Sequence, residues 1–440
     1  MTEKQCVEEQ PLLIQVDPLT RVEGEGALRL VVVDGKVTEL KLRIFEPPRF
    51  FQGFLLGRRF DEVHDLVSRI CGICPVSYQM AALQAIEEAL GVLPSRQTQE
   101  LRRLLALSQW IASHALHIYF LALPDYLGYE SALAMAGDHR EAIERALRLK
   151  KLGNDLTRLI GGREVFPISL CVKGFGRVPS RADLLALKDD LEQGREDAWE
   201  TARLVARLPL PDFVRPCEHV ALTGAGRYPV NETGLHSSEG LRIPLREYRQ
   251  HVKERQVPDS NMLHSYIEGR GSFLVGPLAR VNLNFGLLSP AAQRAARESG
   301  VTFPSFNPFV SVVARAVELI HAIDECLELV GTLNPQEEAP IRVEPRAGEG
   351  FGATEAPRGI LYHHYRLNAQ GLVEKADIVA PTSHNLYNIE QDLWELAPQV
   401  LHLPLEEATL RCEMAIRNYD PCISCGTHFL KLEIVPAIRS

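Results

Sequence analysis

Apolar and polar positions alternate along the first part of the chain. Residues 12–45, through LLIQV, ALRLVVVDGKV and TELKLRIFE, carry the two-residue rhythm or the short apolar runs of β-strands, with Asp34-Gly35 at a hairpin turn. From about residue 60 the rhythm becomes helical. Leu83, Ile86 and Leu90 recur at helix spacing behind Pro75, and Gly91 with Pro94 closes that helix. LRRLLALSQWIASHALHIYFLALPDY, residues 101–126, reads as one long, buried helix. Residues 181–207 read as an amphipathic helix ended by PLPDF, whereas 215–275 is polar, rich in Gly and Pro, and resists assignment. Helix returns at 289–298 and 308–332, 340–381 reads as strands and loops, and a last helix covers 385–416 with a break near Pro404. The expected fold class is α+β, mainly α. It forms one domain over 1–440, with a β-rich N-terminal segment (12–50), a helical core (60–335) and a C-terminal part (340–428).

Composition excludes several classes. A hydrophobic fraction of 45% and a charged fraction of 24% are those of a globular protein. A net charge of −9 gives no support to a nucleic-acid partner. No apolar run approaches the roughly 18 residues that span a bilayer, and the polar start MTEKQCVEEQ is not a signal peptide. Nine cysteines in 440 residues do not form a disulfide scaffold, so the expected location is the cytoplasm.

Four of those cysteines form two Cys-x-x-Cys pairs near opposite ends of the chain, Cys71/Cys74 in RICGICP and Cys422/Cys425 in DPCISCGTH. Four converging thiolates make a soft-metal site, with zinc or iron–sulfur the default occupants. A single pair is also a redox disulfide motif. Structural zinc usually staples a small unit, and a chain of this length has core enough to need no staple. Pro75 after Cys74 suits a first helical turn, whose positive dipole end favours thiolate. Asp420-Pro421 sets a turn before the second pair.

RICGICP and DPCISCGTH resemble the two signature motifs of the large, catalytic subunit of nickel–iron hydrogenases. LTRVEGEG near the N-terminus, EAPRG at 355–359 and DIVAPTSHN at 377–385 match the same family in the same order, so the resemblance spans nearly the whole chain. It implies that Cys71, Cys74, Cys422 and Cys425 bind nickel. Cys74 and Cys425 would also bridge to an iron carrying carbonyl and cyanide ligands, and hydrogen would split heterolytically between the metals. By the same resemblance Glu23 relays protons from a terminal cysteine, Arg358 overhangs the open position, Thr382 donates to a cyanide and Asp420 pairs with the arginine. Glu46, the Ile378 carbonyl and His428 match a magnesium site. Read without the motif, Glu23 is a surface glutamate beside Gly24, Arg358 a loop arginine, and Asp420 a helix-ending turn residue.

One position departs from the family. Many members carry an aspartate before the first histidine of an H-x-x-H helix; here it is Ser113, before His114 and His117, and a serine supplies no charge to pair with Arg358. The cytosolic multimeric branch tends to look this way. The two histidines read equally as satisfied core residues. Cys6, Cys171, Cys217, Cys326 and Cys412 show no iron–sulfur spacing, and no dinucleotide or phosphate-binding glycine motif is present. Electrons would therefore leave for another subunit, and the resemblance implies a small subunit with iron–sulfur clusters and, in that branch, flavin subunits using NAD(P). The resemblance also implies a maturation protease that cuts after His428 and removes residues 429–440. Two rival readings are a structural-zinc scaffold and a quinone-site subunit related to complex I; the latter lacks the four cysteines.

Overall fold

The computed structural model describes residues 12–224, 226–338 and 342–428. Three antiparallel strands open the chain: β1 (Leu12–Val16), β2 (Gly26–Val33) and β3 (Lys36–Ile44). Asp34 and Gly35, with φ of 50° and 72°, make the left-handed pair that a two-residue hairpin needs. Helix α1 (Pro75–Leu90) starts at Cys74 and ends where Gly91 turns left-handed at φ 61°. Helix α2 (Arg96–Leu116) is capped by the Ser95 side chain, which accepts the Thr98 N–H.

The long helix expected over 101–126 is interrupted. A π-helical turn covers His117–Ala122, and a short α-helix follows at Leu123–Leu127. Pro124 explains the widening, because it has no N–H and its ring displaces the carbonyl one turn back. The span Arg96–Leu127 is long and apolar enough to cross a membrane by composition, which the sequence reading did not register. Its most apolar window is 78% buried inside the protein.

Helix α3 (Arg140–Gly161) received no assignment from the sequence pattern, although Ala142, Ala146, Leu149, Leu156 and Ile160 form its buried stripe. Gly153 lets it press on α2: a Cβ there would lie 2.5 Å from the Ser108 carbonyl oxygen. The expected 181–207 helix is split into Arg181–Leu185 and α4 (Lys188–Val205). The unread stretch 215–275 folds as strands. Glu218–Leu222, Gly234–Ser237, Arg242–Pro244 and Phe273–Leu274 make one small sheet. β4 (Val252–Val257) and β5 (Ser260–Ile267) extend the N-terminal sheet to the order β1-β2-β3-β5-β4.

Helix α5 (Ser311–Thr332) is buried on nearly every side. A three-stranded antiparallel sheet follows: β6 (Gly348–Ala356), β7 (Gly359–Leu367) and β8 (Val373–Val379). β6 lies directly on α1. Cβ atoms at Gly348, Gly350 and Gly352 would fall 1.9, 2.0 and 2.1 Å from the carbonyl oxygens of Ala89, Ala85 and Ala81. Alternate glycines on the strand thus meet every fourth alanine on the helix, which locks the β6–β7 turn above the start of α1. Helices α6 (Pro381–Val400) and α7 (Leu405–Asn418) close the chain on either side of Pro404. Helix is the larger share of this mixed fold, about 48%.

Candidate metal centre

Cys74 is the N-cap of α1, and Cys71 lies one turn before it, its sulfur accepting the Cys74 N–H at 3.3 Å. The second pair follows α7. Asp420, at φ 54°, reverses the chain, and Cys422 pairs in parallel with Glu23 of the β1–β2 loop. Ile423–Cys425 then forms one 3₁₀ turn. Two distant loops and two helix ends thereby deliver four sulfurs to one point. Cys71 Sγ is 3.6 Å from Cys422 Sγ, which is 2.7 Å from Cys425 Sγ. The sulfurs of Cys71, Cys74 and Cys425 lie within 4.8 Å of one another, the one such cluster of metal-ligand side chains among the described residues. All four are free and buried.

Protonation here departs from expectation. Cys71 is pulled well below the usual thiol range, first by its hydrogen bond with Cys422, then by Cys425 and Cys74. Cys422 moves well above it through Cys425, Cys71 and burial. For Cys74 a hydrogen bond with Cys425 pulls downward, and for Cys425 one with Cys422 does, but the other sulfurs and burial outweigh both. The helix dipole therefore does not by itself make Cys74 a thiolate. Four sulfurs in a dry pocket repel added charge more strongly than a helix end attracts it. A bound cation reverses that balance, because coordination strips thiol protons.

Arg358 lies in the two-residue turn Pro357-Arg358 between β6 and β7, close enough to feel the charge of these sulfurs. Gly276, at φ 114°, lets the turn approach: a Cβ there would lie 2.7 Å from the Arg358 carbonyl oxygen. Arg280 grips the same turn, donating to the Ala356 and Pro357 carbonyls at 2.8 and 3.2 Å. The Arg358 guanidinium donates through Nε to the Asp420 carbonyl at 2.8 Å, and Nη2 pairs with Asp420 Oδ1 at 3.1 Å. Burial opposes its charge, but Asp420 and the sulfurs of Cys422, Cys74 and Cys71 more than offset this and hold it ionised. Its Nη1 has no protein partner. Thr382, in the first turn of α6, accepts the Cys422 N–H at 2.8 Å and keeps its own hydroxyl hydrogen to donate.

The other expected residues are distributed around this centre. Glu23 is half-buried, and its Oε2 accepts the Ser424 N–H at 3.0 Å, one residue before Cys425. Glu46 accepts the Glu25 N–H at 3.2 Å and pairs with Arg49 at 3.4 Å. The Ile378 carbonyl accepts from Gln52 Nε2 at 3.1 Å, and His428 Nε2 lies 3.0 Å from the Asn261 carbonyl oxygen. Ser113 is buried with its hydroxyl unpartnered. His114 contacts Glu318 at 3.0 Å and Arg315 at 3.3 Å; His117 contacts the Arg417 carbonyl at 2.8 Å. Burial lowers these imidazoles to about 4 and about 3, so both are neutral core histidines. Cys6 and residues 429–440 lie outside the described residues.

Sequence reasoning missed Arg315, Arg280 and Gln52. Arg315 had a signal, being the lone charge in the apolar run SVVARAV. Gln52 had none; it joins the Ile378 carbonyl to Thr427 Oγ1.

The donor set fits a nickel–iron centre: four soft sulfurs, free and buried, beside a buried guanidinium with an unused N–H. Comparison with known proteins agrees. The nickel-dependent hydrogenase family matches residues 49–158 and 272–428. The chain is 35% identical to sulfhydrogenase 1 subunit alpha of Pyrococcus furiosus, covering 96% of this chain and 99% of that one. It is 28% identical to the beta subunit of the NAD-reducing hydrogenase HoxS of Cupriavidus necator, covering 94% of each. The crystal structure of an NAD⁺-reducing [NiFe]-hydrogenase in the H2-reduced state superposes with a TM-score of 0.85 at 27% identity, covering 96% of this chain and all of that one. The chain belongs to the nickel-dependent hydrogenase family and is the catalytic large subunit of a nickel–iron hydrogenase, an oxidoreductase acting on hydrogen.

Proposed function

We propose that hydrogen is taken up at a nickel–iron pair held by Cys71, Cys74, Cys422 and Cys425. In this reading Cys74 and Cys425 would also hold an iron carrying carbonyl and cyanide ligands. The observation that carries it is the convergence of four free, buried sulfurs that act electrostatically on the buried Arg358, whose Nη1 has no partner. When bound, the metals supply the soft electrophilic centre at which hydrogen is polarised and split. The chain does the rest. Arg358 presents a fixed positive charge and a planar fork, already oriented by Asp420, so no reorganisation is needed during turnover. Thr382, whose hydroxyl accepts the Cys422 N–H and keeps its hydrogen, would donate to a cyanide ligand. Glu23, held at Ser424, accepts a proton from the Cys425 side and passes it outward, since its carboxylate is half-buried.

The finer assignments extend this reading. Glu46, the Ile378 carbonyl and His428 hold magnesium, a cation that needs few protein ligands because it keeps its waters. Gln52, which ties Ile378 to Thr427, supports the nearness of those segments. Electrons pass to an iron–sulfur small subunit and then to flavin subunits using NAD(P); the NAD-reducing relatives support the NAD-linked direction. The cytoplasm is the location this reading expects. A maturation protease removes residues 429–440, and the chain folds as one domain. Metal analysis tests the centre. Nickel with iron, and infrared bands of iron-bound carbonyl and cyanide, are expected; zinc alone would support a scaffold instead. Cys74→Ser and Cys425→Ser should each lose the bimetallic centre while Cys217→Ser keeps it, and equal loss from all three would refute the assignment.

A further inference from the structure

Asp420 has a second cation. Arg315, in the first half of α5, is 0% exposed and places Nη1 3.3 Å from Asp420 Oδ2, while Arg358 takes Oδ1. We infer that Arg315 is a positioning residue: it holds the far oxygen of Asp420 and, through that carboxylate, fixes Arg358 beside the sulfurs. The inference rests on the reading that Arg358 acts on the reacting centre.

The case starts from how poorly Arg315 is accommodated. Its Nε and Nη2 have no partner, and the like charges of Arg358 and Arg280 face it. The nearby Glu318 is already occupied by Arg280 through two hydrogen bonds, by the Tyr228 hydroxyl and by His114. Among the described residues, Asp420 is the one carboxylate within ion-pair distance of Arg315. Burial lowers the guanidinium to about 10, with Asp420 only partly offsetting it, yet it remains a cation at neutral pH. A buried charge with two unmet donors costs stability, and an apolar side chain of similar length usually packs as well or better. A purely structural role therefore explains Arg315 badly.

Its geometry suits orientation. Arg358 grips Asp420 at the backbone carbonyl and at Oδ1, which still leaves the carboxylate free to rotate. Oδ2 has no hydrogen-bond partner, so the charge of Arg315 Nη1 at 3.3 Å is what biases its direction. Arg315 is steadied in turn by His114: Nδ1 accepts from Arg315, so Nε2–H donates to Glu318. A cavity of about 10 Å³ lined by Arg315, Ser311, Asn418 and Tyr419 has room for one water, which would serve an unmet guanidinium nitrogen.

The test uses the mature, metal-loaded enzyme carrying Arg315→Met, with Arg315→Lys as the conservative variant and Arg358→Lys as control. Arg315→Met should keep nickel and iron and melt at the wild-type temperature or above. Turnover per nickel should fall about ten- to a hundredfold, the scale of a modest misplacement, and the cyanide infrared bands should shift. Arg315→Lys should recover part of the rate. Adding Asp420→Asn to Arg315→Met should cost no more than the worse single variant. Wild-type turnover per nickel and unshifted bands would overturn the proposal, as would a lower melting temperature with metal loss and unchanged turnover per nickel. If Arg358→Lys is also fully active, the reading of Arg358 itself fails; if only Arg315→Met is active, that reading stands and this inference falls.

Discussion

Replacing Glu23 with glutamine isolates one proton carrier from everything else the residue does. Glu23 contributes to the fold mainly through its backbone, which accepts the Ile423 N–H at 2.9 Å and donates to the Pro421 carbonyl at 3.4 Å. Its side chain accepts the Ser424 N–H at 3.0 Å, a bond the glutamine carbonyl oxygen can also accept. Shape and hydrogen bonding are therefore kept, and the cysteine turn stays in place. What disappears is the site that takes up and releases a proton. A positioned acid–base group contributes about 10²–10⁴-fold, or on the order of 3–5 kcal/mol of barrier. Hydrogen-dependent reduction of a viologen should fall by at least about a hundredfold, with nickel and iron content unchanged. Glu23→Asp keeps the acid on a shorter arm and should fall between the two. Wild-type turnover in a nickel-loaded Glu23→Gln enzyme would move the proton route away from Glu23.

Other outcomes follow from the same structure. Arg358→Lys keeps the charge but loses the fork that holds the Asp420 carbonyl and carboxylate together, so activity should drop at least about tenfold with metals retained; near-wild-type activity would remove Arg358 from the mechanism. Gly350→Ala drives a Cβ to 2.0 Å from the Ala85 carbonyl oxygen, where backbone must move, and should cost about 1–3 kcal/mol or more in a denaturant melt. His114, His219 and His384 are buried and neutral, the first two down to about 4 and the third to about 3, led in each by burial. Unfolded histidine takes up its proton near 6.5. Stability should therefore fall as pH drops from about 6.5 toward 4, by up to about 1.4 kcal/mol per site per pH unit; a flat melting temperature between pH 7 and 5 would contradict this. The intact mass of active, nickel-loaded protein should lack residues 429–440, and a mass that retains them would refute processing.

Legibility of the site followed the range of the interactions. Each Cys-x-x-Cys pair, with Pro75 behind one and Asp420-Pro421 ahead of the other, announced a thiolate centre from a few neighbouring residues. Arg358, Thr382, Glu23 and Asp420 were named through motif resemblance, and the structure brings all four against the second cysteine pair or its flanking turn. Arg315 lies far from every motif and was not found. The charge environment of Cys74 was only partly legible for a related reason: a helix dipole is local and readable, whereas the effect of three other sulfurs exists only after folding.

What the sequence by itself determined were features ruled by backbone conformation and period. The Asp34-Gly35 hairpin, the Pro75 start and Gly91 end of α1, and the break at Pro404 each depend on the φ angles a few residues allow. Tertiary structure decided the rest. The alternate glycines of β6 have meaning only against Ala81, Ala85 and Ala89 of α1. The stretch 215–275 becomes strands because its neighbours supply the edges and the burial that its own polar, glycine-rich pattern does not encode. The pairing of Asp420 with two arginines, one on a hairpin and one on α5, is likewise a choice among distant partners. Local sequence can restrict a dihedral angle, but which charge meets which in a dry interior is settled by packing.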